Sequence, residues 1–133
     1  MMDVKPIVRY MVVCNEYAVE GSQGSRISAL GLITNVKRDN PLIPATKVPQ
    51  ICILAALAGG RGNCRLHIEI RSDDTEEIVF QTPYREVQFG NEPLKVAGVT
   101  FRLLGCVFPH PGTYGIQLMS EESLLDEYSI VVR

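Results

Sequence analysis

Phe108-Pro109-His110-Pro111-Gly112-Thr113-Tyr114-Gly115-Ile116-Gln117-Leu118 is the stretch whose reading decides the fold. Two prolines flanking a histidine cannot extend a hydrogen-bonded ladder, and the glycine after them permits a sharp bend. Beyond the bend, Tyr114, Ile116 and Leu118 recur at every second position, the period of a half-buried strand. The stretch therefore predicts a β-sandwich corner that delivers a tyrosine into an alternating strand. It carries no chemistry of its own.

On either side the same grammar continues. Residues 113–119 and 124–132 read as a terminal hairpin about Ser120-Glu121-Glu122-Ser123. Upstream, residues 95–104 carry Val96, Val99, Phe101 and Leu103 as the apolar members of a strand that leads through Gly105 to the corner. The clearest alternation is Cys64-Arg65-Leu66-His67-Ile68-Glu69-Ile70-Arg71. Period two places Cys64, Leu66, Ile68 and Ile70 towards the core and Arg65, His67, Glu69 and Arg71 towards solvent. Ser72-Asp73-Asp74-Thr75 then turns the chain into residues 77–82, which makes that pair a hairpin. Residues 84–89 form a further strand, closed by Gly90-Asn91-Glu92-Pro93.

In the first half, residues 7–14 read as a strand covered on both faces, with Arg9 inside it. A turn at residues 20–25 joins it to a second strand over 26–36, in which Gly31 marks a bulge or a close backbone approach. Three prolines between residues 41 and 49 predict a crossover loop across 39–49. Residues 50–58, bounded by Pro49 and Gly59-Gly60, favour a buried strand over a short helix. Gly59-Gly60-Arg61-Gly62 reads as a hairpin connection. Eight or nine short strands without a helix indicate an all-β sandwich or barrel.

At 133 residues the chain fits one domain over 1–133 and is long enough to bury a core without metal or disulfide. Thirteen Lys and Arg against fifteen Asp and Glu, net −2, form no basic block, which disfavours a nucleic-acid partner. The apolar N-terminal run is short and interrupted by charge, unlike a signal peptide. No segment approaches the ~20 apolar residues of a membrane span, so a cytoplasmic location is expected. Cys14, Cys52, Cys64 and Cys106 contain no CxxC pair and no histidine at ligand spacing. They read as small buried hydrophobes, and the three pairings open to four cysteines are indistinguishable from sequence.

The corner from His110 to Ile116 resembles the tyrosine corner of immunoglobulin-like domains, with Gly112 and Tyr114 in the matching places and His110 and Ile116 departing from the usual acid and cysteine. The resemblance implies a tyrosine hydroxyl bonded to upstream backbone. More widely, Val4-Lys5-Pro6-Ile7-Val8-Arg9-Tyr10-Met11, Leu30-Gly31-Leu32-Ile33, Val99-Thr100-Phe101-Arg102-Leu103 and the corner together resemble an uncharacterised family of small bacterial all-β proteins, a domain of unknown function. That resemblance implies a bacterial cytoplasmic domain and brings no active site with it.

Chemistry is sparse. A nucleophile would need His67 or His110 as its base, yet one lies on a predicted solvent face and the other between prolines. Asp73-Asp74-Thr75-Glu76-Glu77 is dense in carboxylates but lacks the spacing and glycine of a calcium loop, so it reads as a solvated hairpin tip. The glycines at 59–62 precede no helix and make a poor phosphate cradle. Arg9 and Arg102 sit inside apolar runs, as outward residues with snorkelling stems or as interface anchors.

The expectation is an antiparallel β-sandwich of immunoglobulin-like type, with a jelly-roll or C2-like sandwich as the alternative. Gly112 and Tyr114 are its structural residues, and Arg9, Arg65, His67, Arg71 and Arg102 are the candidate interface. No catalytic residue, cofactor or metal ligand set is expected. The functional expectation is a non-catalytic interaction or assembly module that binds a protein partner or itself through a sheet face or edge strand. The alternative is a small-ligand site or minor enzyme near His67, the nearby arginines and the 73–77 carboxylates.

Overall fold

Two sheets face each other across one apolar layer in the computed structural model, which describes residues 3–20, 26–92 and 94–133. The strands are β1 (Ile7–Glu20), β2 (Arg26–Leu32), β3 (Asn35–Val36), β4 (Thr46–Ala58), β5 (Gly62–Ser72), β6 (Ile78–Gln81), β7 (Arg85–Gly90), β8 (Val96–Phe108), β9 (Gly112–Ser120) and β10 (Ser123–Val132). One sheet runs β2-β1-β4-β8. The other runs β3-β10-β9-β5-β6, with β7 also on β5. The fold is the expected all-β sandwich with no helix among the described residues, and the strand count is ten because the expected strand 26–36 is broken after Leu32 into β2 and β3, which lie in different sheets.

The core is built by alternation. Ile51, Ile53, Ala55 and Leu57 of β4 and Val99, Phe101 and Leu103 of β8 face Cys64, Leu66, Ile68 and Ile70 of β5 and Tyr114, Ile116 and Leu118 of β9. Full burial of one such aliphatic side chain stabilises the fold by about 1.5–3 kcal/mol, so these rows fix which face of each strand turns inward. Prolines 109 and 111 carry the chain from β8 in one sheet to β9 in the other. Tyr114 anchors that passage: it is fully buried, stands edge-on to Phe108 at 4.9 Å, and donates its hydroxyl to the His110 carbonyl at 2.6 Å.

Several links differ from their expected form. The 59–62 glycines do not close a hairpin, because β4 and β5 lie in different sheets, so this tight link is a crossover between layers. β4 begins at Thr46 and takes in Pro49, inside the expected loop. β8 continues through Gly105 to Phe108. The two exceptions meet, since the registers Val48↔Cys106 and Gln50↔Leu104 set Pro49 opposite Gly105. Gly105 has φ +66°, and across it the inward rhythm shifts from Leu103 to Cys106. One pairing, β3 with β10, is parallel, an exception to the antiparallel expectation. The expected turn at 20–25 lies largely outside the described residues, as do Met1 and Met2.

The remaining predicted pairs form as hairpins: β1 with β2, β5 with β6, and β9 with β10. The proline-rich segment between β3 and β4 is held by Arg38, whose guanidinium donates to the carbonyls of Pro41, Ile43 and Arg133. No helix among the described residues is long and apolar enough to cross a membrane.

Candidate functional site

In a two-layer sandwich the outward residues of each sheet normally meet water. On the four-stranded sheet Tyr10, Arg102 and Leu104 do, but the middle of the face does not. Cys14 of β1 and Cys52 of β4 point away from the main core, yet both are 0% exposed, and Leu54 beside them is 7% exposed. Val12 and Tyr17 complete this second apolar cluster. The guanidinium of Arg102 on β8 lies 5.1 Å over the Tyr17 ring.

The cover comes from the β1–β2 hairpin. Ile27 and Ala29 of β2 line one groove of about 240 Å³ together with Tyr10, Val12, Leu54 and Thr100. In a flat sheet β2 would stand three strand spacings, about 14 Å, from β8. A groove shared with Thr100 of β8 fits a hairpin that leans over the outer face as an arm. Cys14 is where it departs: it is the last β1 residue paired with β4 and the first paired with β2. The arm carries Val19, Ile27, Leu30 and Leu32 as exposed apolar side chains. Gly31, at φ +71°, allows the close approach to Asn15 on the facing strand that its sequence position suggested.

The outer face of the six-stranded sheet is polar, and here one expectation is overturned. His67 is 1% exposed and Glu69 9% exposed, not solvated. Alternation points His67 outward as predicted, but the loop between β6 and β7 closes over it. Ile68 N–H donates to Thr82 Oγ1 at 2.8 Å, which ties that loop across β5, and the Tyr84 ring stands edge-on to the imidazole at 4.7 Å. Arg65, itself exposed, lies 4.4 Å over the Tyr84 ring.

Beneath Tyr84, His67 Nε2 meets Glu69 Oε1 at 3.0 Å. Arg71 reaches the other Glu69 oxygen at 3.5 Å and donates to the Glu76 carbonyl at 2.8 Å. His67 Nδ1 is buried with no hydrogen-bond partner among the described residues. A histidine oriented by a carboxylate is half of a general-base arrangement. Cys64 and its 3.2 Å partner Ser120 Oγ do not supply the other half, because they belong to the inward side of the sheet. Burial raises the thiols of Cys14, Cys64 and Cys106, the last to about 12, which keeps them protonated and poor nucleophiles for as long as they stay covered.

The candidate residues therefore divide. His67, Arg71 and Arg65 do gather, around Glu69 and Tyr84, whereas the 73–77 segment meets this group through the Glu76 carbonyl that Arg71 holds, and its Asp73 N–H donates to the Thr113 carbonyl of the corner. A hollow of about 410 Å³ beside Tyr84 is lined by Lys5, Arg65, Glu121, Glu122 and Ser123, with His67 shut out behind the tyrosine ring. Arg9 is the extra residue of a β-bulge, since Val8 faces Leu57 and Tyr10 faces Ala56. Arg102 is exposed and anchors the arm through Tyr17. Among the described residues no group of three His, Cys, Asp or Glu side chains gathers as a metal site. Sequence reading missed Leu54, Tyr17 and the Cys14–Cys52 juxtaposition; Tyr10, Val12 and Ile27 were visible as apolar residues, but nothing local announced that the hairpin folds over.

A model of a protein family matches residues 9–133, nearly the whole chain. The chain belongs to the DUF6941 family of unknown function. The family supplies no named activity against which to set the site. A search of curated proteins finds no match. Among solved structures, a β-glucosidase, EmGH1 from Erythrobacter marinus, is similar at 19% identity and TM-score 0.42, over 63% of this chain and 13% of its own. The chain thus spans a small part of that enzyme, and a likeness at this level carries no argument.

Proposed function

We propose that this protein is a non-catalytic interaction module that receives an extended apolar segment of a protein partner along the β1–β2 arm. The observation that carries the reading is the state of the sheet edges. β8 and β7 present guarded edges: Arg85 caps the Thr100 carbonyl, and Lys95 donates to the Gln88 carbonyl at 2.9 Å. β3 and β6 are two and four residues long. β2 offers seven residues, with exposed Ile27, Leu30 and Leu32 and no partner on its outer side among the described residues. An unguarded apolar edge is a template for strand addition, while charged caps and short strands discourage it.

Four free, buried thiols support a reducing, cytoplasmic setting. The Tyr114 corner supports an immunoglobulin-like reading of the sandwich. A ligand role at His67 draws on its unpartnered Nδ1. It would need Tyr84 to swing away, so imidazole NMR signals unmoved by small-molecule screening would remove it.

The test is affinity capture from the native host with three baits: wild type, Ile27→Glu/Leu30→Glu on the arm, and Leu124→Glu on the opposite sheet. A partner held by wild type and Leu124→Glu but lost from the arm variant is the expected result, with hydrogen exchange slowed in β2 when that partner binds. Identical captures by all three baits would overturn the reading. Light scattering decides whether the partner is a second copy, since a clean monomer at high concentration excludes self-association.

A further inference from the structure

Cys14 and Cys52 are directly opposed in the antiparallel register of β1 and β4. Opposed residues across such strands have Cα atoms about 4.5–5.5 Å apart, inside the roughly 4.4–6.8 Å that a disulfide spans. Both side chains leave the sheet on the same face, since both pack with Leu54, Val12 and Tyr17. Both thiols are free. After burial, the neighbouring Cys52 is the next cause that raises the Cys14 thiol, as expected of two sulfurs in proximity. The other two cysteines have no such partner: Cys64 opposes Val87, and Cys106 opposes Val48.

The geometry points to a cross-strand dithiol modification site, at which Cys14 and Cys52 close to an intramolecular disulfide when a peroxide reaches them. Two S–H bonds and the peroxide O–O bond break; one S–S bond and two O–H bonds form. The sulfurs are oxidised, hydrogen peroxide is reduced to two waters, and the thiol protons leave on the oxygens. No further co-reactant is needed.

The position gives the bond a consequence. Cys14 is the residue at which β1 leaves β4 and joins β2, so the disulfide fixes the root of the arm to the sheet. Access is gated by the same element, because both thiols are fully buried and the arm contributes Tyr17 to the cluster that encloses them. The oxidant meets them when the arm lifts, and the product then slows later lifting. The site stands independently of the identity of any partner.

The experiment treats the whole folded chain with hydrogen peroxide, removes the oxidant, alkylates the remaining thiols in denaturant, and maps the unreduced digest by mass spectrometry. The free-thiol count is expected to fall from four to two, with one linked pair of peptides carrying Cys14 and Cys52 and with Cys64 and Cys106 alkylated. Hydrogen exchange over residues 14–20 should slow in the oxidised protein. Cys52→Ser should lose the link and the slowing together. Retention of all four thiols, a link through Cys64 or Cys106, or separate over-oxidation of Cys14 and Cys52 overturns the proposal. The wild-type map decides this even if the variant folds poorly.

Discussion

The Tyr114 hydroxyl donates to the His110 carbonyl at 2.6 Å, four residues upstream, while its ring stands edge-on to Phe108 inside the core. One side chain therefore ties both ends of the 109–111 crossing to the layer beneath. Burial raises the phenol, with the His110 backbone contact acting against that rise, so at neutral pH the group is a donor. Tyr114→Phe keeps the ring and removes only the bond, and should cost about 1 kcal/mol of stability. An unchanged urea midpoint would show that the corner holds without it.

How much of this was legible depends on the range of the interaction. The rhythm at Cys64, Leu66, Ile68 and Ile70 names its own inward face, because neighbours along a strand fix side-chain direction locally. The corner was readable for the same reason. His67 was not: alternation says that it points outward but says nothing of Tyr84 lying over it. The 59–62 glycines look the same whether the chain turns back in one sheet or crosses to the other. The Cys14–Cys52 relationship needs the β1–β4 register, which no local pattern contains. Pro49 looked like a strand breaker, and the register that sets it opposite Gly105, beyond the last β1–β4 pair at Cys52, is equally non-local.

Glu69 is the partner that makes the burial of His67 tolerable. Its removal in Glu69→Ala leaves an imidazole, 1% exposed, with both nitrogens unpaired. A buried polar group stripped of its partner costs about 1–3 kcal/mol, and that is the loss expected in chemical denaturation. Arg71 is partly exposed, and Arg71→Ala leaves the His67–Glu69 contact in place and the exposed Glu76 carbonyl open to water, so it should cost clearly less. Equal losses would mean that Glu69 serves Arg71 and not His67.

Gly105 resets the β8 rhythm through a φ of +66°, a conformation that costs an L-residue about 1–2 kcal/mol. Gly105→Ala should lower stability by about that amount, with the added methyl also pressing on the Lys47 stem at 3.2 Å. Gly98 of the same strand is the control, having no unusual φ and open space where a Cβ would stand. Gly98→Ala should be neutral or stabilising. A comparable fall in melting temperature for both variants would remove the special role of Gly105.

Cys106 makes stability sensitive to alkali. Its thiol is pushed from 9.0 to about 12 by burial. Above pH 9 the unfolded chain releases this proton while the folded chain retains it. The folded state then binds more protons than the unfolded one, and stability falls as pH rises until the folded thiol ionises as well. Each pH unit in that window costs up to about 1.4 kcal/mol for one such group, so the full span is on the order of 4 kcal/mol. Cys14 and Cys64 are raised in the same direction and add to the slope. Cys106→Ala leaves a small cavity and lowers stability at neutral pH, yet between pH 9 and 11 it should lose less than wild type. Urea midpoints across that range measure the two slopes, and parallel slopes would show that Cys106 ionises as readily in the fold as outside it.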